Sequence, residues 1–436
     1  MLRTEAVRTG LFDLRDRASI GLKRMSLLLP MLLGSMSALA QDGSGHVFVE
    51  TNEGGVPGRN AILAYRRDAR GLLTEVRGSP FSARGTGTHP TSDLSLSTLG
   101  PLDSDQCMIL DERRSRLFAV NSGSDTIAVF NVGSNGRLAH VPGSPFPSGG
   151  INPSSVGLSR AGVLVVANKD YDLGRPGFNP ATRQGSYTSF RVNGRGQLVQ
   201  VPNSTLPAGP VGGVGPMHAV PSQALISRDG RTFYDANFFG LQVRSFNILP
   251  DGRILPAAAM MLPPPAGTSK LKLPVPLGLQ VHPTQPILYV GFVLDKAFGV
   301  YVLGENGVMV FVKAVSISGS GPCWLLTNDA GTRLYTCNNF DNTVSVFDIT
   351  SPFDPVLLQQ VRLPQGLNAA SPFQLAFDRQ NRFLHVVTQA ATSKQDPELA
   401  NGVVVLSVDG NGMLRVVDFV PIPSSNGSRP QGIAAR

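Results

Sequence analysis

The sequence predicts an all-β fold, a seven-bladed β-propeller with four antiparallel strands per blade, whose first blade is closed by the C-terminal strand. Three observations carry this expectation. One unit of four short apolar runs recurs along the chain; the runs are bounded by Gly, Asn, Asp and Pro and carry no helical period; and the first copy lacks a strand that reappears at the far end.

Taken in order, the chain opens on an address. Lys23 and Arg24 precede the apolar run 27–33, and Ala38-Leu39-Ala40 follows as a small-x-small cleavage site, so residues 1–40 read as a secretory signal peptide and 41–436 as the propeller domain. The run is too short for the roughly 20 residues of a membrane span. The mature chain is therefore expected to be periplasmic or secreted, with no membrane span. Removing the leader takes away six Lys/Arg and three acids, so the net charge falls from +8 to +5. No Lys/Arg cluster with interleaved aromatics appears, which leaves no nucleic-acid partner to expect.

The clearest copy of the repeat starts at Pro322. It has an apolar segment 323–327, the turn Asn328-Asp329-Ala330-Gly331, a second segment ending at Asn338, then Thr343-Val344-Ser345-Val346-Phe347, and a last run at 356–361. Other second segments read Leu117-Phe118-Ala119-Val120-Asn121 and Leu164-Val165-Val166-Ala167-Asn168, and fourth segments open on Gly-x-Leu, as at Gly71-Leu72-Leu73 and Gly136-Arg137-Leu138. Four antiparallel strands repeated every 40 to 60 residues or so describe propeller blades. Six complete units follow Asp105, whereas residues 46–80 hold only the second, third and fourth strands of another. Pro430-Gln431-Gly432-Ile433-Ala434-Ala435 has the form of the missing first strand, and pairing it there leaves no open sheet edge at the seam.

The lines Asn60-Ala61-Ile62-Leu63-Ala64-Tyr65-Arg66-Arg67, Gly78-Ser79-Pro80-Phe81 echoed by Gly143-Ser144-Pro145-Phe146, and Asn342-Thr343-Val344-Ser345-Val346-Phe347 resemble the seven-bladed lactonase and cycloisomerase family. That family includes bacterial 6-phosphogluconolactonase and fungal carboxymuconate cyclase. The resemblance spans 46–436 and implies a lactonase-like hydrolase, with His and Arg at inner-strand starts and a Glu after a second strand. At the matching places this chain reads Ser371-Pro372-Phe373-Gln374 and Arg429-Pro430-Gln431, and it keeps one Asn-Glu pair, Asn52-Glu53.

Because chain direction alternates within a blade, the second-to-third and fourth-to-first loops share one face of the ring, and a ligand is expected there. A lactone hydrolase needs a base beside a water and a donor for the developing oxyanion; Glu53, His89, Asp170 and His218 are the catalytic candidates. Lys169, Tyr171, Lys270, Lys272 and Arg429 are ligand-binding candidates on the same loops. The recurring Asn after the second strand suits turn-tying. The expected partner is a small-molecule lactone or related cyclic ester, or alternatively a protein or glycan bound by a non-catalytic propeller. No cofactor is expected, and with no Gly-x-Gly-x-x-Gly, His-Glu-x-x-His or Gly-x-Ser-x-Gly a dinucleotide enzyme, a zincin and a serine hydrolase are disfavoured. A monomer is expected. Cys323 and Cys337 are placed opposite one another across the hairpin centred on 328–331, so export would permit a disulfide between them.

Overall fold

The computed structural model describes residues 43–90, 106–179, 181–209, 219–261, 274–391, 394–423 and 429–436. The expected leader, residues 1–40, lies outside the described residues. The described chain forms seven antiparallel sheets of four strands each, in sequential order from the ring axis outward in six of them, and three of the seven have a further two-residue strand. Its one α-helix is the single turn Pro397–Ala400, and among the described residues no helix is long and apolar enough to cross a membrane.

The blades are numbered from the N-terminus. Blade one has Gly45–Glu50, Ala61–Arg67 and Leu73–Glu75, and its inner strand is the C-terminal Ile433–Ala435, paired with Val47, Phe48 and Val49. That inner strand lies against both Met108–Asp111 of blade two and Ser371–Phe377 of blade seven, which closes the ring. Alternation along each second strand sends side chains into two different inter-blade gaps. Phe48 packs towards Leu117 and Phe130 of blade two, whereas Val47 and Val49 pack towards Phe373 and Val387 of blade seven. Equivalent apolar clusters fill the other gaps.

The Gly-x-Leu repeat has a packing reason. Its glycine turns the third strand into the fourth with positive φ and presses on the preceding blade, where a side chain has no room. At Gly71 (φ +97) a Cβ would stand 2.5 Å from the ring of Phe383 in blade seven. The same contact recurs between Gly136 and His46 and between Gly412 and Arg333.

The cysteine expectation is corrected. The first hairpin of blade six closes on Asn328–Arg333, one position off the expected register, so Cys337 stands opposite Trp324. Cys323 occupies a bulge between Pro322 and Trp324 and turns its thiol towards Pro372 O of blade seven, 3.5 Å away; no disulfide links the pair. Bulges at the same place follow Pro153, Pro276 and Pro372. Proline cannot donate to the ladder, and an extra residue after it restores the pairing.

Candidate functional site

Close backbone approach assembles the upper face around blades one to three. The segment Gly85-Thr86-Gly87-Thr88-His89 is laid across the loops of blades one and two: Gly87 N donates to Glu53 O (2.7 Å), Thr88 N to Asn52 Oδ1 (2.8 Å), and Gly123 N to Thr86 O (2.9 Å). Glycine is required at these crossings. A Cβ on Gly54 would sit 1.7 Å from Thr88 O, and one on Gly123 would meet Gly87 O at 2.2 Å and the His89 ring at 2.9 Å.

This path delivers His89 to the second-to-third loop of blade three, where its partner is Asp172. His89 Nδ1 donates to Asp172 Oδ2 at 2.6 Å, and the His89 backbone N–H reaches the same oxygen at 3.4 Å. The imidazole is partly open, 23% exposed, while the Asp172 side chain is fully buried. Burial raises the Asp172 carboxyl above its ordinary range, against the pull of the His89 bonds. With Nδ1 holding the proton, Nε2 is the acceptor of the ring. A partly exposed imidazole fixed in one tautomer by a buried carboxylate is equipped to take a proton from a water or hydroxyl.

Arg175, on the same loop, grips Asp125 of blade two with two bonds of 2.8 and 2.6 Å. That pairing raises the Arg175 pKa. Arg183 is buried with its guanidinium 4.8 Å over the ring of Tyr171 and 5.7 Å from that of Phe239, and burial lowers its pKa. Tyr171 also meets Phe178 edge-on at 5.8 Å.

The sequence candidates separate accordingly. His89 lies in the constellation. Asp170, two residues from the true partner, accepts from Gln184 N at 2.5 Å with φ +48, and burial raises its carboxyl. Glu53 is buried and accepts from Gly55 N at 3.1 Å, which shapes its own turn. Lys169 is only 1% exposed, Tyr171 belongs to the aromatic layer, and Arg429 is half-buried in the segment that leads into the closing strand. His218, Lys270 and Lys272 lie outside the described residues. The strand-end asparagines tie turns, as expected: Asn237 Oδ1 accepts from Val220 N and Gly240 N, and Asn338 Nδ2 donates to Thr343 and Ser345. Asp172 and Arg175 were missed; the signal for them is the density of charge between 169 and 175.

Among solved structures, the periplasmic gluconolactonase of Pseudomonas aeruginosa superposes with a TM-score of 0.67 at 17% identity, over 90% of this chain and 99% of that one. The chain has the seven-bladed propeller fold of that structure. A candidate 6-phosphogluconolactonase of Bacteroides fragilis matches this propeller with a TM-score of 0.66 at 14% identity, over 91% and 99% of the two chains. A hypothetical selenium-binding protein of Sulfolobus tokodaii also matches, at TM-score 0.54 and 12% identity, over 89% and 92%. The sequence matches no family model and no curated protein. At these identities the likeness is one of fold, and activity has to be argued from the site.

Proposed function

We propose that this lactonase-type propeller is an exported hydrolase of an unphosphorylated lactone or related cyclic ester, acting on the upper face through His89 and Asp172. The observation that carries the reading is the 2.6 Å bond from His89 Nδ1 to a fully buried carboxylate. In this mechanism His89 Nε2 takes a proton from a water as its oxygen attacks the lactone carbonyl, and Asp172 holds the imidazolium that forms. The tetrahedral intermediate then expels the ring oxygen, which takes the proton back from His89 and leaves an open hydroxy acid.

The charge balance supports an uncharged substrate. Around the dyad, Arg175 is spent on Asp125 and Arg183 on two aromatic rings, while Asp125, Asp170 and Asp172 supply as many acids as Lys169, Arg175 and Arg183 supply cations. Among the described residues nothing there awaits a phosphate dianion. Export fits the same conclusion, since phosphorylated sugars belong inside the cell. Intact-mass measurement of periplasmic or secreted material is expected to give a chain beginning at Gln41; a full-length cytoplasmic species would overturn export.

A lactone panel read by proton release is expected to show turnover that falls about 10²- to 10⁴-fold in His89→Ala. Asp172→Asn, which removes the negative charge that holds the imidazolium and lets an amide NH2 face Nδ1 in the wrong tautomer, is expected to lower kcat with little change in KM. A second reading has its own support: the Tyr171, Phe178, Phe239 and Arg183 layer has the side-chain types that dominate protein and glycan contacts. A flat panel accompanied by glycan or protein binding that Tyr171→Ala abolishes would replace the hydrolase with that reading.

A further inference from the structure

The lower face of the ring, opposite the dyad, is built from the first-to-second and third-to-fourth turns, and from Glu112 to Asn411 every one of these turns lies within the described residues. Two cavities open there. One, of about 560 Å³, lies on the turns of blades two and three and reaches Arg379 of blade seven. The other, of about 920 Å³, runs over the turns of blades three, four and five, and both are lined by Ser159, so they adjoin at blade three.

Seven arginines and four acids line the pair, with no lysine. That excess of three positive charges is most of the +5 carried by the whole 41–436 chain. Three of the acids are already occupied. Asp111 accepts from Arg114 Nη1 at 2.8 Å and from the backbone N–H groups of Arg113 and Arg114, and Glu112 meets Arg379 at 3.7 Å. Asp229 accepts from Ser227 Oγ at 2.6 Å and from Arg231 N at 3.0 Å. The cations are held differently. Arg191 Nη2 donates to Pro250 O and Arg228 Nη1 to Pro283 O, each reaching into the next blade. A bond to a carbonyl fixes a guanidinium in place and leaves both its charge and its other N–H donors available. Arg113 and Arg160 are exposed and form no ion pair among the described residues.

We propose that this lower groove binds a carboxylate-bearing oligosaccharide, a chain of the uronic acid type. Three features select that occupant. Uncompensated guanidinium groups spread over blades two to four match an anion repeated along a chain rather than a single small ion, and their planar forks suit carboxylates. Between the charges the lining offers exposed neutral partners for hydroxyl groups, Thr284, Gln285 and Asn306. The rings that border the groove, Tyr234 and His282, are only 3% and 4% exposed, so a nucleobase has no platform on which to stack. The site is on the other face from His89 and is independent of the proposed chemistry.

Fluorescence anisotropy of an end-labelled galacturonate oligomer of about ten residues, titrated with the 41–436 chain, is the test. Saturable binding is expected at about 50 mM salt, weakening steadily towards about 300 mM as the charges are screened. Arg160→Gln in one cavity and Arg231→Gln in the other are each expected to weaken it about tenfold. Both should leave the melting temperature unchanged, since neither side chain bonds to another blade, and His89→Ala should bind as the parent does. The proposal is overturned if the oligomer does not bind at low salt, if both arginine substitutions leave binding intact, or if the methyl-esterified, uncharged oligomer binds equally well. Tighter binding of oligo-dT or of polyglutamate of the same charge also overturns it, because the occupant would then be a nucleic acid or an acidic peptide.

Discussion

Deleting residues 430–436 is expected to lower the stability of the entire ring, with a melting temperature reduced by on the order of 10 °C or more. Chain termini are usually dispensable, so the size of the effect distinguishes a closing strand from a tail. Besides the Val47–Val49 pairing, the segment exchanges bonds with blade one at both ends: His46 N to Arg436 O (3.0 Å) and back (2.9 Å), and Glu50 N to Gly432 O (3.1 Å) with Gln431 N to Glu50 O (3.0 Å). At about 1 kcal/mol net apiece, the four bonds alone approach half of a modest domain's stability. Ile433 and Ala434 are also buried, one in the gap to blade seven and the other in the gap to blade two. Removing them opens two cores. The deletion further hydrates Glu50, whose carboxyl is wholly buried and raised well above its ordinary range by that burial, with Asn60 Nδ2 donating to it at 2.7 Å. A melting curve unchanged by the truncation would show that the seam holds without the strand.

What the sequence made legible follows its local periodicity. Period-two runs ending in Asn and turning at Gly-x-Leu repeat because every blade solves the same packing problem, so seven blades and the closing strand could be counted in advance. Register was harder. Whether the blade-six hairpin closes on Asn328–Arg333 or one residue away changes no composition, yet it sets Cys337 against Trp324 and moves Cys323 into a bulge. The site was legible only in part, for a related reason. His89 and Asp172 are 83 residues apart, on loops of different blades with no periodicity to align them, so the sequence singled out Asp170 and passed over the acid that the loop geometry brings to His89.

The same distance hides the strongest ionic contact of the seam. Arg67, at the end of a strand in blade one, and Asp378, just past the inner strand of blade seven, are 311 residues apart and meet at 2.9 Å with both side chains about 1% exposed. Arg67 also donates from Nη1 to Gly43 O and Asp68 O, each at 2.8 Å, and its guanidinium lies 4.5 Å over the Phe383 ring. Arg67→Met is therefore expected to destabilise by about 3–5 kcal/mol, because Asp378 would remain as a buried charge with no counterion. Asp378→Asn strands the guanidinium in the same way. It keeps an oxygen for Arg382 N and Phe383 N, which Asp378 Oδ1 now binds at 2.7 and 3.0 Å, so the turn itself is preserved. The double variant removes both charges and leaves a methionine stem on Phe383, so its cost is expected to be well below the sum of the singles. Denaturant unfolding of the four proteins measures that coupling directly. Strictly additive costs would mean that Arg67 serves the seam through its backbone-carbonyl and aromatic contacts alone, and that the ion pair across blades one and seven contributes nothing to closure.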